Sequence, residues 1–180
     1  MPCMSACLSG KPIDEEKAAM TRSSHILREA AQTAAASASV HHPLNERARR
    51  KTVSLGDATG LSLIGVHINV IAPGDPSTEL HAHACADEFV YILSGQGIVT
   101  LDEESYEVGV GDFIGFPANG PAHALTNTGV GELVYLVGGN RPDFDACDYP
   151  RQGKRLYLVR RPDGRHLDLV DVAAISPLRK

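Results

Sequence analysis

Two histidines one residue apart, followed by a carboxylate, are the residues of this 180-residue sequence best suited to metal chemistry. They lie in the stretch HAHACADEF, which runs from His81 to Phe89. In an extended strand, side chains two residues apart project from the same face with Cα atoms about 6.5 to 7 Å apart, so His81 and His83 can converge on one ion. Residues 84–87 allow the chain to turn, which can bring the carboxylate of Glu88 back beside the imidazoles.

His123, in GPAHALTN, is the candidate for a fourth ligand from a neighbouring strand. Three imidazoles and one carboxylate would leave two coordination positions free for water or a substrate, which suits catalysis. The donor set is compatible with Fe, Mn, Zn, Ni, Co or Cu, and the sequence does not choose among these metals. Asp87 is the rival carboxylate, but Glu88 shares its strand face with Val90 and Ile92, and this parity favours Glu88.

The elements that must position these side chains have the composition of β-strands. From residue 61 onwards, short apolar runs alternate with connections rich in Gly, Pro, Asn and Asp. The runs are LSLIGVHINVI, EFVYIL, GIVTL, SYEV, DFIGF, HALTNT and ELVYLVG. Because the connections are short and no long helical segment interrupts them, neighbouring strands should be mostly antiparallel. The sequence therefore predicts an all-β sandwich or barrel.

The spacing around the first two histidines resembles the first motif of the cupin superfamily. That motif is a Gly, five residues, H-x-H, three or four residues, Glu, six residues and a Gly. This sequence has Gly74, six residues, His81-Ala-His83, four residues, Glu88, six residues and Gly95. The additional residue before the histidine pair falls in a predicted turn, where it does not reverse the facing of the strand.

The surroundings of the third histidine resemble the second cupin motif. That motif is a Gly, five residues, P-x-G-x-x-H, three residues and an Asn. This sequence has Gly111, five residues, Pro117, then Gly120-Pro-Ala-His123, three residues and Asn127. Here the additional residue lies between Pro117 and Gly120, again in a predicted turn.

The resemblance covers about residues 61 to 138 and implies a double-stranded β-helix, the jelly-roll-type barrel of the cupins. It also implies one divalent transition metal bound by His81, His83, Glu88 and His123. The superfamily includes dioxygenases, isomerases, decarboxylases, lyases, sugar-binding modules and storage proteins, so the fold does not name a reaction. As a whole, the chain resembles bacterial single-domain cupins of unassigned activity.

Two functions follow from this resemblance as expectations. The first is a metal-dependent enzyme of dioxygenase, isomerase or lyase type that acts on a small oxygenated or carboxylate metabolite held in the barrel. The alternative is a non-catalytic cupin that binds a small, sugar-like molecule. Metal analysis and a panel of small acids and sugars would separate the two.

His67 is the candidate catalytic residue outside the predicted metal ligands. In the run GVHINVI, His67 and Asn69 alternate with Val66, Ile68 and Val70, so one face of this strand is polar, and either face could look inward. If the polar face lines the barrel, His67 could anchor a substrate or act as a general base near the metal. Otherwise it is a hydrogen-bonded structural histidine.

The chain divides into three segments. Residues 1–52, rich in Ala and charge, should be a flexible, disordered or partly helical N-terminal extension, and residues 53–140 should form the barrel core. Residues 141–180 should contain the polar loop NRPDFDACDYPRQGK, which begins at residue 140, and then a closing hairpin or an arm onto a second subunit. The chain has Cys3, Cys7, Cys85 and Cys147 without C-x-x-C spacing, which indicates free thiols.

Charge and hydropathy exclude several classes of partner. Seventeen basic and twenty-two acidic residues give a net charge of -5, which offers no general attraction to nucleic acid or anionic lipid. No apolar run approaches the roughly 18 to 20 residues of a membrane span. The first residues, MPCMSACLSGKPIDEEK, lack the apolar core of a secretory signal, so we expect a cytoplasmic protein. Since cupins often pair through sheet edges, we also expect a homodimer.

Overall fold

The computed structural model describes residues 22–29 and 39–175, and strands dominate both the length and the packing of these ranges. The strands are β1 (Ser39–His42), β2 (Asn45–Ser54), β3 (Ile64–Ile71), β4 (Ala82–His83), β5 (Glu88–Ser94), β6 (Gln96–Leu101), β7 (Glu104–Gly109), β8 (Phe113–Phe116), β9 (His123–Asn127), β10 (Leu133–Asn140), β11 (Phe144–Tyr149), β12 (Lys154–Arg161) and β13 (Gly164–Asp171). The helices with both ends in the described residues are one short α-helix, α1 (Leu55–Ala58), and the 3-10 helices Arg22–His25, Pro150–Gln152 and Val172–Ala174.

The strands form two antiparallel layers. The first layer has the strand order β1-β2-β3-β10-β5-β8. The second layer consists of the sheets β13-β12-β11-β4 and β7-β6-β9. An isolated bridge between His81, directly before β4, and His123 of β9 connects these two sheets, and a second bridge joins Pro76 to Thr126 of β9. This is the expected all-β, double-stranded β-helix of jelly-roll type, and the prediction of the fold is confirmed.

One cluster of buried apolar side chains holds the two layers together. It draws on β3, β5, β8 and β10 of the first layer and on β6 and β9 of the second. Its members are Ile71, Val90, Ile92, Val99, Phe116, Leu125, Leu133 and Tyr135. Because Ile71, Ile92 and Leu133 are fully buried, a truncation of any of them to Ala would cost about 2 to 5 kcal/mol of stability.

The sheet begins before residue 53, in the segment that the sequence analysis assigns to the N-terminal extension. Strand β2 pairs with β1 and with β3, in a register that places Lys51 opposite Val70. The charged run NERARRKTVS does not have the pattern of a strand, because Ala48 and Val53 are its only buried apolar residues and they do not alternate on one face. Charged side chains are common on such strands near a sheet edge. The rest of the extension lies outside the described residues, apart from 22–29.

The C-terminal segment also contains more strand than expected. In place of a continuous polar loop, Phe144–Tyr149 forms β11, which pairs with both β4 and β12. The polar side chains of this strand are satisfied by specific partners, because Asp145 bonds to His83 and Asp148 to Arg155. Strands β12 and β13 then form a hairpin that extends the second layer of the same chain. An arm onto a second subunit stays a prediction.

Two further expectations concern thiols and membranes. Cys85 and Cys147 are free, whereas Cys3 and Cys7 lie outside the described residues. Within the described part of the chain, no helix has the length and apolar character required to cross a bilayer.

Candidate metal centre

The four side chains predicted to converge do so. One ligand-type atom from each of His81, His83, Glu88 and His123 lies within 4.8 Å of the others. His81 and His123 are 9% and 4% exposed, so the cluster lies in the interior of the protein and is not a chance grouping of surface side chains. The predicted convergence is therefore confirmed.

Strand pairing in the second layer brings the histidines together. The backbone amide of His123 donates to the carbonyl of His81 at 2.7 Å, and the reverse hydrogen bond measures 3.2 Å. These bonds place the start of β9 beside the residue that precedes β4. Glu88 begins β5 in the opposite layer and reaches across, with its Oε2 3.5 Å from Nε2 of His83.

Each histidine offers the same ring nitrogen to the centre. The Nδ1 atom of His81 lies 2.9 Å from the carbonyl of Glu79, and that of His123 lies 3.3 Å from the carbonyl of Pro121. Since a carbonyl only accepts, Nδ1 carries the proton and Nε2 presents its lone pair to the cluster. The Nε2 of His123 is buried and has no hydrogen-bond partner, as a metal-ligating atom would be before it binds an ion.

The electrostatics favour the protonation states that metal ligation needs. Burial, helped by the neighbouring His81, lowers the pKa of His123 to about 4, and burial likewise lowers the pKa of His81. Burial would raise the pKa of Glu88, but the hydrogen bond from His83 and the neighbouring imidazoles outweigh it and lower that pKa. Near neutral pH the imidazoles of His81 and His123 are thus neutral and the carboxylate of Glu88 is ionised.

His83 differs from the other two histidines. Burial would lower the pKa of its imidazole, but the hydrogen bonds and negative charges of Glu88 and Asp145 together raise that pKa. The imidazole of His83 lies between the two carboxylates, and wherever it is protonated a metal ion would have to displace its Nε2 proton. Binding of the ion should accordingly release protons to solvent.

The structure also decides between the two candidate carboxylates. Asp87 is exposed, and its Oδ1 accepts a hydrogen bond from the backbone amide of Ala118 at 2.8 Å. Glu88 points inward with Val90 and Ile92, as the parity argument predicts. Three imidazole nitrogens and one carboxylate oxygen fit a divalent transition metal with open coordination positions.

Asp145 is the site residue that sequence reasoning missed. Its Oδ2 accepts from Nδ1 of His83 at 2.6 Å, and its Oδ1 accepts from the amides of Cys85 and Ala146 at 2.8 and 3.0 Å. A carboxylate behind a ligating histidine fixes the tautomer and the ring orientation. The only signal in the sequence was an acid within the short run FDACDY, and nothing there indicates a partner 62 residues away.

A cavity of about 370 Å³ opens next to the cluster. Its wall includes His67 and Asn69, so the polar face of β3 looks inward. Its volume falls in the range of about 300 to 1,000 Å³ that small-molecule sites occupy. Arginines from three other segments also reach the cavity, namely Arg50, Arg141, Arg160 and Arg165.

Unpartnered buried polar atoms are concentrated on this cavity. Among the described residues, five buried side-chain atoms have no hydrogen-bond partner, and all five belong to residues that line it. They are Thr52 Oγ1, His67 Nδ1, Asn69 Oδ1, His123 Nε2 and Arg160 Nε. Since buried polar groups in native proteins nearly always find partners, these atoms mark a surface shaped for a polar ligand.

His67 lies where its proposed role requires, on the cavity wall. Burial lowers the pKa of His67, although Asp57 opposes the shift. Asp57 is itself paired with Arg141, with 2.6 Å between Oδ1 and Nη1. The imidazole of His67 is therefore neutral near pH 7 and can accept a proton.

Comparisons with known proteins agree with this geometry. Residues 67–139 match the family model of the cupin domain. The crystal structure of a candidate sugar phosphate isomerase from Acidithiobacillus ferrooxidans has 43% sequence identity and a TM-score of 0.79, covering 87% of this chain and 98% of that one. A sugar phosphate isomerase from a cupin superfamily, of Silicibacter pomeroyi, has 29% identity and a TM-score of 0.64, covering 72% of this chain and 80% of that one.

A further similar protein extends the match to an archaeon. An uncharacterised protein of Methanocaldococcus jannaschii is 39% identical over 80 residues, which are 44% of this chain. The matched segment spans 56% of that relative's length.

Proposed function

Because this chain belongs to the cupin superfamily, we propose that it is a metal-dependent isomerase acting on a small phosphorylated sugar. Two similar solved structures that are named for this activity support the reaction class, and one of them is matched over 98% of its length at 43% identity. The isomerase reading is also one of the three enzyme types expected from the sequence.

The observation that carries the proposal is that the four-residue cluster and the five unpartnered polar atoms open into one cavity. A sugar offers several hydroxyl groups, each of which donates and accepts hydrogen bonds, and these can satisfy Thr52, His67 and Asn69. An apolar ligand of the same size would leave those atoms buried without partners, at about 1 to 3 kcal/mol each.

The residues of the site divide the work of an aldose–ketose interconversion. A divalent metal held by His81, His83, Glu88 and His123 would supply Lewis acidity to the carbonyl oxygen of the sugar. His67 takes the proton from the hydroxyl-bearing carbon beside the carbonyl and returns it to the former carbonyl carbon. The proton of that hydroxyl group passes to the former carbonyl oxygen, so atoms and charge balance over the reaction.

Tyr135 and Asn69 position the substrate beside that base. Burial raises the pKa of Tyr135 to about 12, so its hydroxyl keeps its proton and acts only through hydrogen bonds. That hydroxyl accepts from Nδ2 of Asn69 at 3.3 Å, which orients the amide and aims its unpartnered Oδ1 at a donor on the ligand.

Elemental analysis of untagged protein is the first test, and one divalent transition metal per chain is the expected result. The loaded protein should then convert aldose phosphates to ketose phosphates and leave the corresponding free sugars unchanged. The His67→Gln variant should keep its metal and lose at least about 100-fold in kcat, the typical contribution of a general base. Full activity of this variant would refute the role of His67.

A non-catalytic binding protein remains the alternative outcome of the same experiment. In that case the protein would bind sugar phosphates with measurable affinity, and no product would form with any metal of the first transition series. The isomerase proposal would then be wrong.

A homodimer and a cytoplasmic location belong to the proposal as well. The outer face of the first layer exposes Tyr91 and Phe113, which lie opposite each other in the β5–β8 register, and Leu93 on the same face. Burial of such large apolar side chains against a second copy would stabilise a dimer. Light scattering at several concentrations tests the assembly, and cell fractionation tests the location.

A further inference from the structure

Two arginines on the cavity wall face each other across the β12–β13 hairpin. The strand register places Arg160 directly opposite Arg165, so both side chains project from the same face of the sheet. Both residues line the cavity beside the metal centre. Like charges directly opposite each other on neighbouring strands destabilise a sheet, so this pair needs a compensating negative charge.

The protein does not pair these two arginines with an acidic side chain, although Asp143 lies close and its carbonyl accepts from the backbone amide of Arg160 at 2.7 Å. Among the described residues, no carboxylate forms an ion pair with Arg160 or Arg165. The Nε of Arg160 is buried without a hydrogen-bond partner. In contrast, Arg155 on the same strand binds both carboxylate oxygens of Asp148, at 2.5 and 2.7 Å. The fold therefore neutralises an arginine whose side chain lies away from the cavity and leaves the cavity pair free.

The other cavity arginines are already engaged. Arg141 forms an ion pair with Asp57 at 2.6 Å. Nη1 of Arg50 donates to the carbonyl of Ser77 at 2.9 Å. These contacts fix both guanidinium groups in the wall, whereas the Arg160–Arg165 pair keeps its donors for a ligand.

The arginine pair lies closer to solvent than the metal centre does, in the sheet that also contains β4 and β11. Arg165 is exposed and Arg160 half-buried, whereas His81 and His123 are buried. Leu158, two residues before Arg160 and on the same face, is the register partner of Asp145, which holds His83. The arginine pair thus begins one strand step of two residues, about 7 Å, beyond the register partner of Asp145 on the neighbouring strand.

We propose that Arg160 and Arg165 form an anion subsite that binds the phosphate group of the substrate while its carbonyl end reaches the metal centre. The identity of the sugar end rests on the proposed function, whereas the anion subsite rests on the geometry of the pair. Two guanidinium groups present planar, fixed donor forks, which suit the several oxygens of a phosphate monoester. The subsite would explain how a small cavity can select phosphorylated sugars over free ones.

Calorimetric titration of the full-length, metal-loaded protein tests the subsite. The probes are inorganic phosphate, ribose 5-phosphate, glucose 6-phosphate and the two free sugars. Arg160→Gln and Arg165→Gln should each weaken binding of the phosphorylated probes at least tenfold and leave binding of the free sugars unchanged. Arg161→Gln is the matched control, because Arg161 is exposed on the same hairpin, opposite Gly164, and does not line the cavity. Unchanged phosphate affinity in the double variant, or an equal loss in the control, would overturn the subsite.

Thermal unfolding provides a second readout that does not depend on the ligand. Since the substitutions remove a repulsion between like charges, the ligand-free Arg160→Gln variant should melt no lower than the wild type. Addition of phosphate should raise the melting temperature of the wild type and not that of the double variant. A lowered melting temperature in the ligand-free variant would show that the pair stabilises the fold and would contradict its assignment to a ligand.

Different experimental results would refute the anion subsite and the proposed isomerase function. His81→Ala should lose the metal and retain affinity for inorganic phosphate within about twofold, since the arginines do not contact the metal ligands. If the protein binds phosphate through the pair and converts no aldose phosphate, the proposed function is wrong and the subsite stands. If it converts sugar phosphates and the double variant keeps the wild-type KM, the subsite is wrong and the function stands.

Discussion

Replacement of Asp145 by Asn tests how the fold prepares the metal centre. Asp145 is 5% exposed, and its two carboxylate oxygens accept hydrogen bonds from different groups. Oδ1 accepts from two backbone amides, whereas Oδ2 accepts from Nδ1 of His83 at 2.6 Å. An Asn side chain has the same shape, so its oxygen can retain the amide contacts and the strand pairing should survive.

The nitrogen of the new amide would then face the imidazole of His83. Because that nitrogen only donates, it would favour the tautomer with the proton on Nε2, where a metal must bind. Loss of such a supporting carboxylate typically weakens metal affinity about 10- to 100-fold, which corresponds to about 1.4 to 2.8 kcal/mol. We expect a loss in this range and no loss of the barrel.

Competition between the protein and a chelator of known affinity measures this effect. Asp148→Asn is the control, since Asp148 lies on the same strand and pairs with Arg155 instead of a site residue. His81→Ala and His123→Ala should remove the metal altogether with the barrel still folded. If Asp145→Asn bound metal as tightly as the wild type while His83→Ala did not, the tautomer argument would be refuted.

Three other predictions concern stability and assembly. Burial lowers the pKa of His42 to about 4, so the unfolded chain binds a proton that the folded protein does not, and stability should fall as the pH drops from 6.5 towards 4. Urea unfolding of metal-free protein at several pH values gives the free energy of unfolding at each pH. This free energy should fall less steeply with decreasing pH in His42→Gln than in the wild type, and an equal fall would contradict this cause. A Cβ at Gly139 would lie 2.5 Å from the carbonyl oxygen of Asp87, so Gly139→Ala should cost about 1 to 3 kcal/mol in thermal unfolding. Gly109→Ala, which meets no atom within 4 Å, should be nearly neutral. Phe113→Glu should shift the proposed dimer towards monomer in light scattering, and a monomeric wild type would exclude the dimer.

The convergence of the four side chains could be predicted from the sequence, because most of the information for it is local. The alternation of strands fixes that His81 and His83 share a face, and the same parity selects Glu88 over Asp87. Only the approach of His123 requires knowledge of strand pairing, and there the motif spacing supplied it. Strand parity and the spacing of the cupin motifs were therefore sufficient to predict that these four side chains converge.

The supports of the centre could not be predicted, because they depend on pairing across long separations. Strands β2 and β11 carry charged residues where an isolated sequence predicts a linker or a loop. Some of their charges are satisfied by partners far along the chain, as in the contact of Asp145 with His83 and the ion pair of Lys51 with Glu132. Propensity describes what a residue prefers on average, and a specific partner in the folded protein overrides it.

Strand β3 shows why the cavity was harder to predict than the core. Gly65, His67, Asn69 and Ile71 all project from its inner face, yet Ile71 belongs to the apolar core and the other three line or border the cavity. Apolar alternation predicts inward facing only where the barrel is filled with side chains. Where the barrel leaves room for a ligand, the polar residues of a strand face inward and its apolar residues face outward, which is the opposite of the usual arrangement. A strand that has polar residues and core residues on the same face is therefore evidence for a polar ligand. In this chain the polar part of that face carries the unpartnered atoms of His67 and Asn69.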